Sequence, residues 1–145
     1  MQRLSTFCDT LKELMEVKGY NVSFIENATG ISNSRIYDYL NRRHLPDLQS
    51  AIKIAHLFQC PLDFLFGFIE DYEPKTFTYN VSVNGRVKDV IDKTKLSHYR
   101  IAQKTGLTEA QLSYWYHNKK TPTLTSLVIL AEHLECSLDY LAGKD

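Results

Sequence analysis

Two short runs of cationic and amide side chains, Arg42-Arg43-His44 and Asn118-Lys119-Lys120, stand at the same distance ahead of Pro46 and Pro122. Guanidinium, ammonium and amide donors in such a run make charge-assisted hydrogen bonds to phosphate oxygens, so the chemistry they suggest is polyanion binding. The bland alternative is that cations simply sit well at the C-terminus of a helix. Recurrence of the run weighs for phosphate. Other chemistries find no support: there is no general acid and base pair, no Ser/His/Asp arrangement and no glycine loop to cradle a nucleotide phosphate, so neither an enzyme nor a cofactor is expected. The three cysteines, Cys8, Cys60 and Cys136, are odd in number and widely spaced, which argues for reduced thiols. His56 lies near Cys60 and His133 near Cys136, but two ligands fall short of the usual four, so no metal is expected.

The charge balance is neutral, with 17 basic and 17 acidic residues, which makes its distribution more informative than its sum. Residues up to Glu70 carry 7 basic and 8 acidic groups and residues from Val83 carry 9 and 7, so the second half is the more basic. With 43% hydrophobic residues the chain has enough apolar surface for a globular fold. No apolar run approaches the roughly 20 residues of a membrane span, and the first residues lack the apolar core of a secretory signal, so a cytoplasmic, nucleoid-associated location is expected.

The runs are placed by an internal repeat. Leu11 to Gly67 aligns without a gap on Val87 to Gly143, an offset of 76 residues. Identity at 13 of 57 positions is modest, but the apolar pattern persists through pairs such as Leu14/Val90, Ile31/Leu107, Ile36/Leu112, Tyr39/Trp115 and Phe58/Leu134, which specifies a shared core. A period this long suits two small domains better than solenoid units. The boundaries read as 1–68 and 82–145, with a short extended connector over 69–81 containing Pro74. At roughly 3.3 Å per residue the connector reaches about 43 Å, and it can equally fold back or pair with a partner chain.

Helical spacing gives five helices per copy: Thr6 to Lys18, Val22 to Thr29, Asn33 to Asn41, Leu48 to Phe58 and Pro61 to Phe66, then Val83 to Thr94, His98 to Thr105, Glu109 to Asn118, Leu124 to Leu134 and Leu138 to Leu141. Asn21 and Ser97 can cap the second helix, Ser32 and Thr108 the third, and Gly30 and Gly106 close the second. One apolar residue, Ile31 or Leu107, plugs the angle. This arrangement resembles a helix-turn-helix. Trp115, Tyr39, Cys60 and Cys136 fall on buried faces.

Leu96 to Gly143, LSHYRIAQKTGLTEAQLSYWYHNKKTPTLTSLVILAEHLECSLDYLAG, resembles the phage-repressor (Cro/cI, XRE) family, and YNVSFIENATGISNSRIYDYLNRRHLPDLQSAIKIAHLFQCPLDFLFG resembles it more loosely. The resemblance implies an all-α chain of two tandem lambda-repressor-like five-helix domains that binds double-stranded DNA as a bacterial or phage regulator, a repressor above all. It implies base readers at Asn33, Ser34, Tyr37 and Asp38, with Arg35 reaching base or backbone, and at Glu109, Ala110, Ser113 and Tyr114, with Gln111 also on the DNA-binding face. Phosphate contacts would come from Arg42, Arg43 and His44, from Asn118, Lys119 and Lys120, and from Asn21, Ser97, His98, Arg100 and Thr108 around the helix starts. The family's Glu and Gly near the end of the third helix are here Leu40 and Arg42, or Tyr116 and Asn118. Its polar opener of helix two is Val22 or His98. A homodimer through the connector or last helices stays open, no room remains for a small-molecule effector domain, and the rival reading is a protein-interaction module that kept the fold but lost DNA binding in one or both copies.

Overall fold

The computed structural model describes residues 2–145. The chain divides into two compact units, one ending at Phe77 and the other spanning Thr78–Asp145. The first holds α1 (Gln2–Lys18), α2 (Val22–Thr29), α3 (Asn33–Leu40), α4 (Leu48–Phe58) and α5 (Leu62–Leu65). The second holds α6 (Val83–Thr94), α7 (His98–Thr105), α8 (Glu109–Tyr116), α9 (Leu124–Leu134) and α10 (Leu138–Leu141). Among the described residues there is no strand, only one isolated bridge between Tyr79 and Lys144. None of these helices is long and apolar enough to cross a membrane.

Six of the ten helices have the bounds expected from spacing and caps. The largest difference is α1, which begins at Gln2 rather than Thr6. Its extra turn carries Arg3, whose guanidinium donates to the Phe66 and Gly67 carbonyls (3.3 and 3.1 Å); just inside the expected span Phe7 and Cys8 are fully buried, with the Phe7 ring stacked on Phe66 at 5.0 Å and edge-on to Tyr39 at 5.8 Å. α3 stops one residue short of the expected Asn41 and α8 two short of the expected Asn118, where Arg42 (φ 58°) and Asn118 (φ 57°) turn into the left-handed conformation. The family glycine is absent there, yet its backbone geometry is kept, at a modest cost for arginine and less for asparagine.

Why the two copies share particular residues is visible at the central turn. The Thr29 hydroxyl donates to the Ile25 carbonyl (2.7 Å) and accepts from the Ile31 N–H (3.2 Å). Thr105 does the same with Ile101 (2.8 Å) and Leu107 (3.2 Å). Gly30 (φ 77°) and Gly106 (φ 80°) then reverse the chain, each closing the helix by an N–H bond of 2.8 Å to the carbonyl four residues back. The next helix starts at once, capped by Ser32 on the Arg35 N–H and by Thr108 on the Gln111 N–H. Ile25, Ile36, Ile54, Leu62 and Leu65 in one unit and Ile101, Leu112, Leu130, Leu138 and Leu141 in the other are completely buried around these turns. Each such side chain stabilises its unit by about 1.5–3 kcal/mol.

Residues 69–81 divide between the units. On the first, the Lys75 N–H donates to the Gln59 carbonyl (3.1 Å), His56 Nε2 lies 2.7 Å from the Phe77 carbonyl oxygen, and the half-buried Tyr72 ring packs 4.4 Å from that of Phe64. Burial raises the Tyr72 hydroxyl pKa, and the nearby Cys60 adds to the effect. On the second, the Val81 N–H donates to Gly143 (3.0 Å) and the Asp145 N–H to Thr78 (3.0 Å). The Thr78 hydroxyl and Asn80 amide donate to the Asp145 carboxylate, which holds it below the usual carboxylate range.

Cys60 is 1% exposed, whereas its repeat partner Cys136 is only half-buried, against the expectation that both are core residues. The physical difference is the connector over Cys60. A native-state count with a thiol reagent should therefore find one reactive cysteine in the chain. Tyr72→Ala should raise the count to two by uncovering Cys60, with Cys8 remaining inert; an unchanged count would show that the tyrosine does not shield it.

Candidate nucleic-acid interface

Each third helix buries one face and presents the other. In α3 Ile36 and Tyr39 are buried, while Asn33, Ser34, Arg35 and Tyr37 are exposed and Asp38 is half-buried. In α8 Leu112 and Trp115 are buried, while Glu109, Ala110, Gln111 and Tyr114 are exposed and Ser113 is half-buried. The polar faces are short, rigidly backed and free to meet another surface.

The cationic runs follow directly, in turns of matching construction. The Arg42 and Asn118 N–H groups donate to Tyr39 and Trp115 (3.2 Å each), and those of Arg43 and Lys119 donate to Asp38 and Tyr114 (2.9 and 2.8 Å). The first helix of each unit fastens this end of the third. Cys8 Sγ donates to the Leu40 carbonyl at 3.1 Å. The buried Asn84 amide donates to both Trp115 (3.0 Å) and Lys120 (2.7 Å). Cys8 and Asn84 are also 76 positions apart, just outside the aligned block. Sequence reading passed over both, because a thiol and an amide share neither identity nor hydropathy; the continued register was the signal.

Electrostatically the two faces differ. In the first unit Arg42 pairs with Asp9 at 2.8 Å, Arg43 with Asp38 at 3.5 Å and Arg35 with Asp47 at 3.7 Å, while Arg35 also donates to Ser50 (3.1 Å). The hydrogen bond that Arg42 donates to Asp9 raises the Arg42 pKa, with Cys8 contributing less. Hydrogen bonds from Ser50 lower that of Asp47, with a smaller contribution from Arg35. The Glu26 carboxylate accepts from the Asn33 N–H (3.0 Å), placing another negative charge at the head of α3. At the repeat positions of Asp9, Glu26, Asp38 and Asp47 the second unit has Gly85, Ala102, Tyr114 and Thr123, all uncharged. There Arg100, Lys104, Lys119 and Lys120 are exposed and, among the described residues, unpaired with any carboxylate; Lys120 Nζ lies 4.8 Å from the Tyr114 ring centre. Exposed ion pairs add little stability, but each cancels a positive charge that would otherwise face a polyanion.

Residues 86–142 match the family model described as the Cro/C1-type HTH DNA-binding domain, and residues 11–65 match the model described as helix-turn-helix. The chain is a tandem pair of Cro-like helix-turn-helix domains. At family level these are DNA-binding domains of transcription regulators, with double-stranded DNA as the partner. No curated protein and no solved structure matches the chain.

Within the Cro-like domains several of the expected contact residues have local partners. Asn21 and Ser97 cap their helices by accepting from the Phe24 and Arg100 N–H groups (2.8 and 3.2 Å). In the second domain Gln111 Oε1 accepts from the Thr108 N–H (2.9 Å) in a reciprocal capping box, so the Gln111 amide is left to donate but not to accept. His98 is half-buried with its ring 5.4 Å from that of Tyr116. Position 24 holds an exposed phenylalanine where the second domain has Arg100. His44, Asn118 and Lys119 are simply exposed.

Proposed function

We propose that the chain is a sequence-specific repressor whose α3 and α8 enter major-groove segments about 34 Å apart on one face of the duplex. A tandem pair would do covalently what a repressor dimer does by association. The observation that carries this reading is the twice-built turn that sets a cationic run at the end of an outward-facing polar helix. In the second domain Lys119, Lys120, Asn118 and Arg100 hold phosphates, with Ser97, His98 and Thr108 beside them at the helix starts. Glu109 accepts from a cytosine amine, the Ala110 methyl meets thymine, and Gln111 donates to a base acceptor, with Ser113 and Tyr114 completing the face. In the first domain Asn33 pairs with adenine, Ser34, Arg35, Tyr37 and Asp38 line the groove, and Arg42, Arg43 and His44 flank the backbone.

A second reading has one specific support. The first domain's arginines are engaged by Asp9, Asp38 and Asp47, which favours a domain that contributes little phosphate affinity and has turned toward protein contact. Selection of random duplexes with the purified chain separates the two. Enrichment of two unlike half-sites at one-turn spacing supports the two-headed repressor. Enrichment of one half-site supports the second reading for the first domain alone, and failure to enrich any sequence would contradict the repressor reading and extend the second to both domains.

A further inference from the structure

The second domain carries a pocket of about 450 Å³ lined by Val90, Lys93 and Thr94 of α6, Leu134 of α9, the Glu135–Ser137 turn and Tyr140 of α10. By the 76-residue offset its counterpart in the first domain is built on Leu14, Val17, Lys18, Phe58, Gln59, Cys60, Pro61 and Phe64. That counterpart is where the connector lies: Tyr72 packs on Phe64 beside Cys60, and the Lys75 N–H donates to the Gln59 carbonyl. Burial follows suit. Phe58, Cys60 and Pro61 are buried, whereas Leu134 and Cys136 are half-buried and Ser137 is exposed. Among the described residues no backbone N–H from outside the helices donates to the Glu135 carbonyl, the equivalent of Gln59.

We propose that this pocket of the second domain binds an extended peptide of a partner protein, with an aromatic side chain seated between Tyr140 and Cys136 and a backbone N–H, three residues on, given to the Glu135 carbonyl. The chain's own Asp71-Tyr72-Glu73-Pro74-Lys75 is the template for that ligand, since it already makes these contacts in the homologous place. Charge refines the partner. The pocket rim has Lys93, Thr94 and Glu135 where the first domain has Val17, Lys18 and Gln59, so a cation is kept one position away and an acid is gained; acids flanking the aromatic and a base near the donated N–H complement it. None of the lining residues belongs to α7 or α8, which leaves the peptide and DNA able to bind together. The inference rests on the repeat and not on the DNA reading.

The test is a labelled peptide of residues 69–77, Ile-Glu-Asp-Tyr-Glu-Pro-Lys-Thr-Phe, titrated against the whole chain while following anisotropy and the alkylation rate of Cys136. Saturable binding that slows Cys136 alkylation is expected, weakened about tenfold or more when the peptide carries Tyr72→Ala. Lys93→Glu in the chain, an exposed substitution outside the core, should weaken it several-fold. No saturation, binding that leaves the Cys136 rate unchanged, or equal binding of the alanine peptide would overturn the proposal. Protection of Cys136 by raising the concentration of the chain alone would assign the pocket to a second copy and overturn it equally.

Discussion

Replacing Lys119 and Lys120 together by alanine should weaken binding to a selected duplex by about tenfold to a hundredfold at moderate salt, and flatten the log-log salt dependence by about 1.8. Both ammonium groups are exposed, follow the outward face of α8, and among the described residues have no carboxylate to release before meeting a phosphate. The matched double variant in the first domain, Arg42→Ala with Arg43→Ala, is expected to change the slope by less than half as much. Those guanidiniums must first leave Asp9 and Asp38, exchanging one anion for another. Equal flattening by both variants would show that the intrachain pairs do not restrain the first domain.

Asn84→Ala should damage the second domain and its DNA affinity together. The Asn84 amide ties α6 to both the end of α8 and the Lys119–Lys120 turn, through the Trp115 and Lys120 carbonyls. Removing it deletes both bonds and opens space between α6 and α8, leaving the Trp115 carbonyl with only its local Asn118 donor, at a cost of about 2–3 kcal/mol. In a domain this small that lowers the melting temperature by roughly 10–20 °C. DNA affinity should fall even below the transition, because the turn carrying the lysines loses its anchor. A shift of only a degree or two, with affinity intact, would mean the turn is held by its own backbone bonds.

Much of the fold was legible because local chemistry and the repeat agree. Ile25-Thr29-Gly30 and Ile101-Thr105-Gly106 each specify a helix end, a hydroxyl bridge and a left-handed turn within a few residues, and all of those interactions are short-range in sequence. The polar faces of α3 and α8 followed from the same periodicity. What sequence reading did not reach depends on distant contacts. Asp9 and Arg42 are 33 positions apart, so their pairing is invisible until α1 packs against α3, and Asn84 reaches Lys120 across 36 positions. The unequal covering of Cys60 and Cys136 turns on where residues 72–77 fold back, which no periodicity in a Pro-containing connector specifies.

DNase footprinting of the whole chain on its selected duplex tests the two-headed account most directly. The account expects two protected half-sites about 10–10.5 base pairs apart on one face of the helix, with protection under the second domain surviving to higher salt. Protection of a single half-site per chain at every salt concentration would contradict it.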